Sequence, residues 1–463
     1  MKKYALILAA GKGTRMRTEM PKCAYPILKK PMISYIIENI EKSVIDETFV
    51  IVGHKREVLE DILKDRVKYA YQAEQLGTGH AVLSASPQLS DKDGVTFILP
   101  GDMPLMEYPV MNKILRSHEE MGNDLTIVTM MMEYPKGYGR IVRDEYGTVT
   151  SIVEENDCNE TQKQIKEVNS SVYVVNNKLL FEYVNKIQRN ERKGEYYLTD
   201  IVSLMHQACK VNTFVVRDPL ITMGINDLFG ISIAEKYLRE SINKGHMLSG
   251  VSIVNPETVT IGHNAIIEDG VTIYPNSVIL GNSIVKKGAI IGPNSEVNDS
   301  IIHEHAEIRH SIVKDSEVGE YTTVGPFAHL RNHAVIGKHN RVGNFVEVKN
   351  STTAENTKAA HLIYIGDATV GKNVNFGCGS VTVNYDGVHK HRTVIGDDVF
   401  IGCNVNLVAP VTVGDNVFIA AGSTVTQNVP KGALAIARNK QINKEDYAKH
   451  LIKPKENSNG NEK

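Results

Sequence analysis

The chain has 463 residues, and its 52 basic and 54 acidic side chains leave a formal net charge of only −2. This balance disfavours nucleic acid or a membrane surface as a partner. The length suffices for two or three domains with large cores, and no run approaches the roughly 20 apolar residues of a membrane span.

The five cysteines lie far apart in the sequence and form no CxxC pair. An odd number of dispersed cysteines is typical of reduced thiols in the cytoplasm. The N-terminus has a basic start, but glycines and Lys12 interrupt its apolar run, which is too short for the core of a signal peptide. We therefore expect a cytoplasmic enzyme.

An α/β pattern runs from residue 3 to about residue 225. Tyr4–Ala9 is a continuous apolar run, as expected for a strand buried on both faces of a parallel sheet. Further elements are predicted as a helix from about Met32 to Lys42 and strands at Thr48–Val52, Tyr69–Ala73 and Val95–Leu99. Because such sheets bind ligands beyond the carboxyl ends of their strands, we expect the loop after Ala9 and Asp102 to face one crevice.

The first strand leads into the glycine-rich loop Ala10-Gly11-Lys12-Gly13-Thr14-Arg15-Met16. This loop is neither a Walker A loop nor a dinucleotide fingerprint, since Met16 takes the place of the third glycine. Glycines after a strand let backbone N–H groups approach phosphate oxygens, and Lys12, Arg15 and Lys22 add positive charge. A tight βα connection without any ligand is the alternative interpretation of the loop taken alone.

From Val251 to Val425, aliphatic residues recur every six positions, in three phased runs from Ile261 to Val297, Val318 to Val348 and Ile395 to Val425. A period of six fits neither an α-helix nor an alternating strand, and it is typical of hexapeptide repeats in a parallel β-helix. At about 18 residues per coil, on the order of ten coils are predicted. Binding loops are expected where the period breaks, between about Val297 and Val318 and at Asn384–His391.

Several motifs of the first half occur together: LILAAGKGTRM followed by Pro21-Lys22, QAEQLGTGHA (72–81), PGDMPL, GYGRI (137–141), VEE (153–155), EVN (167–169) and GIND (224–227). Through them, residues 3–228 resemble a sugar-nucleotide pyrophosphorylase. With the hexapeptide region added, residues 3–440 resemble the bifunctional N-acetylglucosamine-1-phosphate uridyltransferase / glucosamine-1-phosphate acetyltransferase family. The resemblance implies an α/β Rossmann-like nucleotidyltransferase domain, a linker helix, and a left-handed parallel β-helix of hexapeptide repeats.

The resemblance also implies a set of contacts to UTP and UDP-N-acetylglucosamine, from Leu8, Ala9, Ala10, Gly11, Lys12, Arg15, Lys22, Gln72, Gly77, Thr78, Gly139, Glu154, Asn169 and Asn226. Arg15 and Lys22 are implied to act catalytically on the triphosphate. Asp102 and Asn226 are implied to bind Mg²⁺, although a strand-end Asp102 also suits a turn cap. Because a sugar 1-phosphate attacks the α-phosphorus in line, positioning and charge neutralisation suffice without an enzyme nucleophile.

Three positions of this half depart from the family pattern. Pro100 precedes Gly-Asp where Tyr or a small polar residue is common, and Cys23-Ala24 follows Pro-Lys. Ser171 stands where Gly is usual, and its backbone is expected to need φ > 0.

His361 is the predicted base of acetyl transfer, because attack on a thioester requires a neutral amine and a group that titrates near neutrality to take its proton. The prediction rests on the motifs GNFVEVK (343–349), KAAHLIYIGDA (358–368), NFGCGS (375–380) and NYDG (384–387). By resemblance, Glu347 orients or supports this base. The resemblance further implies that glucosamine 1-phosphate is bound by Arg331, Lys349, Tyr364 and Asn375, and acetyl-CoA by Cys378, Asn384, Tyr385, Cys403, Ala421 and Arg438.

Cys378 and Cys403 stand where Ala and Ser are common in relatives. Two small side chains beside the pantetheine arm are one interpretation, and a covalent thiol intermediate is the other. Both interpretations predict that acetyl transfer is sensitive to thiol reagents.

The predicted organisation is a nucleotidyltransferase domain at 1–226, a linker helix at 227–247 and an acetyltransferase domain at 248–463. The linker helix is expected to bury one face, formed by Leu228, Ile231, Ala234, Leu238 and Ile242. The tail Lys453–Lys463 has no large apolar residue and is predicted to be disordered. Mg²⁺, UTP and acetyl-CoA are the expected cofactor and substrates, and the resemblance implies a homotrimer.

Two other functions stay open at this stage. In one, the chain transfers only nucleotides and its β-helix is a scaffold for trimerisation or regulation. In the other, the chain is a nucleotide-sugar sensor without turnover. His361 with Asn384-Tyr385 argues against the first, and the pair Asp102 and Asn226 argues against the second.

Overall fold

The computed structural model describes residues 1–191 and 194–452. It forms two compact units: residues 1–245 with 261–263, and residues 246–260 with the chain from 264 onward. The predicted domain boundaries near residues 226 and 247 stay predictions, and the tail Lys453–Lys463 lies outside the described residues. Within the described ranges, no helix is both long and apolar enough to cross a bilayer.

The first unit contains eleven of the described strands and nearly all of the helices. Its strands are β1 (Lys3–Leu8), β2 (Pro26–Ile27), β3 (Lys30–Pro31), β4 (Glu47–Val52), β5 (Lys68–Tyr71), β6 (Val95–Pro100), β7 (Leu125–Met131), β8 (Arg140–Arg143), β9 (Val149–Val153), β10 (Glu167–Asn176) and β11 (Val211–Val216). The helices are α1 (Met32–Glu41), α2 (Arg56–Leu63), α3 (Thr78–Leu83), α4 (Ser86–Leu89), α5 (Tyr108–Met121), α6 (Glu160–Lys163), α7 (Asn177–Val184), α8 (Asp200–Met205) and α9 (Leu228–Leu248).

The main sheet has the order β11-β7-β10-β6-β1-β4-β5, with the β8–β9 hairpin attached to β10. β1 lies between β4 and β6 and runs parallel to both, whereas β10 runs antiparallel to β6 and β7. β1 is apolar throughout because both of its faces are covered: Leu6 packs into one core cluster and Ile7 into the other. The four predicted elements of this region, and β1 itself, are confirmed to within one or two residues.

α9 buries only part of the face that the sequence predicted. Ile231 and Ala234 are buried against Met16, Met32 and neighbouring residues, with Leu238 packed beside them. Leu228 is 51% exposed and is a correction to the prediction. Leu228 is the first residue of α9, and it lies outside the buried cluster to which Ile231 and Ala234 belong.

The second unit consists of short strands that wind into a left-handed parallel β-helix. They are β12 (Ser252–Ile253), β13 (Thr260–Ile261), β14 (Ile266–Ile267), β15 (Thr272–Ile273), β16 (Val278–Leu280), β17 (Ile284–Val285), β18 (Ile290–Ile291), β19 (Glu296–Asn298), β20 (Ile301–Ile302), β21 (Glu307–Ile308), β22 (Ile312–Lys314), β23 (Glu317–Val318), β24 (Thr323–Val324), β25 (His329–Arg331), β26 (Val335–Ile336), β27 (Arg341–Lys349), β28 (Thr352–Thr353), β29 (Lys358–Gly366), β30 (Ala368–Val370), β31 (Asn375–Phe376), β32 (Val381–Val383), β33 (Thr393–Ile395), β34 (Phe400–Ile401), β35 (Asn406–Val408), β36 (Val411–Val413), β37 (Phe418–Ile419), β38 (Thr424–Val425) and β39 (Leu434–Ala435).

Each coil stacks on the next in parallel register, so that Ile273 pairs with Ile291 and Ile279 with Val297. One face of the helix is a sheet of nine strands, which matches the predicted number of coils. The predicted six-residue positions are the buried ones, since each points an aliphatic side chain into the prism. Packing of these side chains against the coils above and below therefore explains the period.

The expected binding loop between Val297 and Val318 is absent from the described structure, and that prediction was wrong. β20, β21 and β22 continue the coil there, and Ile302, Ile308 and Val313 are fully buried. The period breaks because some units are one residue shorter, as the pairing of Val285 with Ile302 shows. The second break is a loop: Asn384–His391 lies between β32 and β33, closed by a bridge from Tyr385 to Lys390.

Candidate functional sites

A cavity of about 430 Å³ opens at the carboxyl ends of β1 and β6. Its lining is contributed by the strands β1, β6 and β10, by α3 and by loops, through Leu8, Ala10, Gly11, Gln72, Gln75, Gly77, Thr78, Ala81, Pro100, Glu154, Ser171, Tyr173, Glu195, Tyr197, Leu198 and Thr199. Seven of the residues that the resemblance assigned to nucleotide or sugar belong to this lining. Of the others, Ala9 packs into the core behind the cavity, and Lys12 is exposed on the loop.

The segment from Gln72 to Thr78 is fixed by contacts to the chain near Tyr196. Gly77 has φ 105°, and a Cβ there would collide with the Tyr196 backbone, so only glycine allows this approach. Tyr196 donates its N–H to the Leu76 carbonyl at 2.8 Å, and Gln72 donates from Nε2 to the Gly77 carbonyl at 3.2 Å. The segment from Gln72 to Thr78 therefore forms a rigid edge of the cavity.

The opposite end of the cavity is built by β10 and the loop after β9. Asn169 donates from Nδ2 to the Tyr173 hydroxyl at 2.7 Å and accepts the Ser171 N–H at 3.0 Å. Ser171 has φ 65°, so the expected left-handed backbone is present although the residue is not glycine. Thr199 donates to a Glu154 carboxylate oxygen at 3.3 Å, and Gly139 faces the same carboxylate. These groups suit the hydroxyl and amide groups of a sugar.

Two of the cations that the sequence singled out, Arg15 and Lys22, form a charged cluster with Asp102 and Asn226. Arg15 donates from Nη2 to the Asn226 side-chain oxygen at 2.7 Å, and Lys22 Nζ donates to the same oxygen at 3.2 Å. Lys22 is also ion-paired with one carboxylate oxygen of Asp102. Burial, with Asp102 nearby, raises the pKa of the Cys23 thiol to about 12, so this thiol is inert.

The second carboxylate oxygen of Asp102 is buried and has no hydrogen-bond partner among the described residues. A buried carboxylate oxygen without a partner is costly unless a cation binds it. Asp102 and Asn226 offer the hard oxygen ligands that Mg²⁺ prefers, and they already share one cationic partner, Lys22. In the described ranges, no group of three or more His, Cys, Asp or Glu side chains could hold a metal ion. Asp102 and Asn226 alone would leave the remaining positions around Mg²⁺ to water or to substrate phosphates.

The loop of the GYGRI motif is held by a pair that the sequence analysis did not single out. Arg140 is 2% exposed and donates from Nη2 to Glu155 at 2.7 Å, while the Gly137 N–H donates to the same oxygen at 3.1 Å. These hydrogen bonds, that of Arg140 first, lower the pKa of Glu155. Both residues belong to motifs quoted for the resemblance, which was the only signal available for them.

In the second unit, His361 is exposed at a corner of the β-helix, and its partner is Asn344. The two residues are in register on β29 and β27, and His361 Nδ1 lies 2.7 Å from the Asn344 side-chain oxygen. Glu347, which the resemblance assigned to support His361, instead accepts two contacts from Arg331, at 2.7 Å from Nε and 2.5 Å from Nη2. The structure therefore places Glu347 with a substrate-binding candidate and Asn344 with the candidate base.

A largely buried polar cluster includes Lys349 and Tyr364, two of the four residues assigned to the sugar phosphate. Lys349 Nζ is 3.7 Å from Asp367, which also accepts hydrogen bonds from Asn350 and Asn384. Burial opposes the ionised form, yet these hydrogen bonds and Lys349 hold the pKa of Asp367 below its ordinary value. Asn384 Nδ2 is 3.4 Å from the Tyr364 hydroxyl. The sequence analysis missed Asp367 as the centre of this cluster.

Lys390, in the loop before β33, adds a second ammonium group to the cluster. The proximity of the positively charged Lys349 lowers the pKa of Lys390. Two adjacent ammonium groups create a positive potential that favours an anion such as a phosphate. Asn375 lies on β31, in register with Lys358, and Arg331 lies on β25.

Four of the six residues assigned to acetyl-CoA follow one corner of the β-helix from coil to coil: Cys378, Cys403, Ala421 and Arg438. Asn384 instead belongs to the cluster around Asp367. Gly379 donates its N–H to the Leu362 carbonyl at 3.0 Å, Asn404 to Cys378 at 2.8 Å, and Gly422 to Cys403 at 2.8 Å. Arg438 donates from Nη1 to the Ala421 carbonyl at 2.9 Å, which places it at the same corner. His361 precedes Leu362, so the candidate base stands at one end of this corner. Tyr385 is exposed, and it lies in the loop between β32 and β33.

Family profiles match most of the chain. "Nucleotidyl transferase" matches residues 4–219, "Bacterial transferase hexapeptide (six repeats)" matches 392–427, and "GMPPB C-terminal domain" matches 257–353. Three curated relatives carry the name "Bifunctional protein GlmU". That of Acholeplasma laidlawii is 61% identical over 455 residues, which cover 98% of this chain and 99% of the relative.

The other two relatives are more distant and cover the chain equally well. The protein of an Exiguobacterium species is 46% identical over 97% of this chain and 100% of its own length. That of a Geobacillus species is 45% identical over 97% of this chain and 98% of its own length. The similarity therefore extends through both units of the chain.

Proposed function

The chain belongs to the GlmU family of bifunctional proteins, and on that premise we propose that its two clusters carry two successive reactions. The chain is an enzyme with a nucleotidyltransferase domain and a hexapeptide acetyltransferase domain. Acetyl transfer from acetyl-CoA to glucosamine 1-phosphate yields N-acetylglucosamine 1-phosphate. Uridylyl transfer from UTP to that product yields UDP-N-acetylglucosamine and pyrophosphate, for cell-envelope synthesis.

For uridylyl transfer, we propose that the rigid edge from Gln72 to Thr78 holds the uracil and that Glu154 and Asn169 hold the sugar. The sugar phosphate then attacks the α-phosphorus of UTP in line, and pyrophosphate leaves. Arg15 and Lys22 neutralise the negative charge that this step concentrates on the triphosphate. The support is that both cations converge on Asn226, beside the cavity that holds Glu154.

We propose that Asp102 and Asn226 bind Mg²⁺ together with the substrate phosphates. The buried carboxylate oxygen of Asp102 that lacks a partner in the described chain supports this assignment. When bound, the ion supplies charge neutralisation to the phosphates. The Lys22 ammonium then has the triphosphate as a new partner in place of the Asp102 oxygen.

For acetyl transfer, we propose that His361 takes the proton from the glucosamine amine as the nitrogen attacks the thioester carbonyl. Arg331, Lys349, Tyr364 and Asn375 bind the sugar phosphate, and the coenzyme extends along the corner from Cys378 to Ala421 and Arg438. The CoA thiolate leaves, so no covalent enzyme intermediate is needed. The position of His361 at one end of that corner supports the assignment.

We further propose that the enzyme is a cytoplasmic homotrimer. Its five cysteines are free, which suits a reducing compartment. Exposed aromatic pairs stack along the β-helix, with ring centroids 5.5 Å apart for Phe327–Phe345 and 4.6 Å apart for Phe400–Phe418. Exposed apolar surface of this kind suits association with further copies of the chain.

The observation that carries the proposal is that one chain holds two separate clusters, one around Asp102 and one around His361. The test supplies purified protein with glucosamine 1-phosphate, acetyl-CoA, UTP and Mg²⁺, and follows CoA thiol and pyrophosphate separately. We expect both products, with CoA release lost in His361→Ala and pyrophosphate release lost in Asp102→Ala. Pyrophosphate release only when N-acetylglucosamine 1-phosphate is supplied, with no CoA release, would reduce the β-helix to a scaffold.

A further inference from the structure

The partner of His361 identifies a residue that acetyl transfer requires beyond those assigned above. Asn344 lies one coil before His361, and the two residues pair in register on β27 and β29. The 2.7 Å contact joins His361 Nδ1 to the Asn344 side-chain oxygen. Because an amide oxygen only accepts hydrogen bonds, the imidazole must carry its hydrogen on Nδ1.

We infer that Asn344 is a positioning residue of acetyl transfer, which fixes the ring and the tautomer of His361. With the hydrogen on Nδ1, the lone pair of Nε2 is free to accept the proton of the attacking amine. As the nitrogen–carbon bond forms, this proton passes to Nε2, the carbon–sulfur bond breaks, and the CoA thiolate leaves. The inference rests on the proposed role of His361 as the base.

The backbone around the pair leaves the two side chains little freedom to separate. Gly343 precedes Asn344, and a Cβ on this glycine would collide with the Ala360 carbonyl, so the two strands approach closely there. Phe345 and Leu362, the residues that follow Asn344 and His361, both have left-handed backbones with φ 58° and 48°. Non-glycine residues hold that conformation only when the surrounding structure determines it.

Glu347 is not positioned to take this role. It pairs in register with His329 and Tyr364 and is engaged by Arg331. Asn344, three residues earlier on the same strand, is the residue opposite His361. A neutral amide also orients the imidazole without placing a negative charge beside the substrate amine.

The test compares full-length Asn344→Leu, which removes the acceptor at similar size, with Asn344→Asp, which retains an acceptor oxygen. We expect Asn344→Leu to lower kcat for CoA release by ~10- to 100-fold with little change in the KM for acetyl-CoA. Asn344→Asp should recover most of that loss. Pyrophosphate release from N-acetylglucosamine 1-phosphate and UTP, measured on the same samples, controls for the amount of folded protein.

A spectroscopic measurement on the unmodified chain tests the tautomer independently of any variant's folding. In protein labelled with ¹⁵N in histidine rings, the signals absent from His361→Ala belong to His361. They should show a protonated Nδ1 and an unprotonated Nε2, and Asn344→Leu should convert them to a tautomer mixture.

Three outcomes would overturn the inference: an unprotonated Nδ1 in the unmodified chain, unchanged kcat in Asn344→Leu, or equal losses in the leucine and aspartate variants. The last would indicate a steric role for the side chain. Retained CoA release in His361→Ala would instead overturn the proposed function, and it is distinguishable because that result does not involve Asn344.

Discussion

Lys22 and Asp102, eighty residues apart in the sequence, form an ion pair beside the cavity of the first unit. Lys22 comes from the turn after the glycine-rich loop, and Asp102 follows the central strand β6. One lysine therefore balances the carboxylate that the proposed Mg²⁺ site needs and also faces the position proposed for the triphosphate.

This pair predicts separable effects of two substitutions. Lys22→Met should lower kcat for pyrophosphate release by ~100-fold or more, because it removes a positive charge that the transferring phosphoryl group requires. Asp102→Asn should lower the affinity for Mg²⁺, so a titration of activity with Mg²⁺ should shift to higher concentrations. CoA release should be unchanged in both variants, and equal loss of both activities would contradict the assignment.

The thiols of the acetyl-CoA corner predict a selective chemical sensitivity. Cys403 is exposed and Cys378 half-buried, whereas burial raises the pKa of Cys23 to about 12 and keeps it protonated. Treatment with iodoacetamide should therefore suppress CoA release and spare pyrophosphate release.

A double variant, Cys378→Ala with Cys403→Ser, serves as the matched control and should resist the reagent. If the unmodified chain retains all of its acetyl transfer after exhaustive alkylation, confirmed by mass spectrometry at both positions, the corner does not bind the coenzyme near these thiols.

The shortened units of the β-helix predict a stability difference between two adjacent isoleucines. Ile302 is fully buried, and Ile301 on the same short strand is partly exposed. Ile302→Ala should lower the free energy of unfolding by ~2–5 kcal/mol because it leaves a cavity in the prism. Ile301→Ala should cost much less. Urea denaturation followed by circular dichroism measures both, and equal effects would mean that the coil is not continuous there.

His118 predicts how the stability of the first unit depends on pH. Burial lowers the pKa of His118 to about 4, and its Nδ1 lies 2.9 Å from the Thr126 hydroxyl. Between about pH 6.5 and pH 4, the unfolded chain binds a proton that the folded chain excludes. The free energy of unfolding should therefore fall as the pH falls through this window, by up to ~3 kcal/mol.

Urea denaturation at about pH 7 and about pH 5 measures this dependence. His118→Gln retains a side chain able to hydrogen-bond to Thr126, and it should remove the part of the pH dependence that comes from His118. An unchanged dependence in that variant would assign the effect to other groups.

Most of the fold could be predicted because each of its two packing arrangements leaves a visible sequence pattern. The continuous apolar run of β1 indicates a strand covered on both faces, and the six-residue spacing indicates side chains that point into a prism. The same rule misled at Ile302, since a unit can lose one turn residue and still direct its aliphatic side chain inward. The antiparallel β10 also left no pattern that distinguishes it from a parallel strand.

Contacts across coils were beyond reach of the sequence alone. His361 and Asn344 are 17 residues apart, and Arg331 and Glu347 are 16 apart. A difference of one residue in the length of a coil decides which side chains face one another. Nothing in the composition of either strand determines that length. The convergence of the glycine-rich loop and Asp102 was easier, because the carboxyl ends of parallel strands meet at one edge of a sheet. The pairing of Asp102 with Asn226 was available only from the family resemblance.

The corner from Leu362 through Cys378 and Cys403 to Ala421 places equivalent backbone positions on successive coils, each about 4.8 Å beyond the last. Distances along this corner therefore change in steps of one coil. Removing or adding one complete coil would change the distance between His361 and Arg438 by about 4.8 Å while every other coil kept its own neighbours. If acetyl-CoA binds along this corner as proposed, the length of the acyl carrier that reaches His361 depends on the number of complete coils between His361 and Arg438.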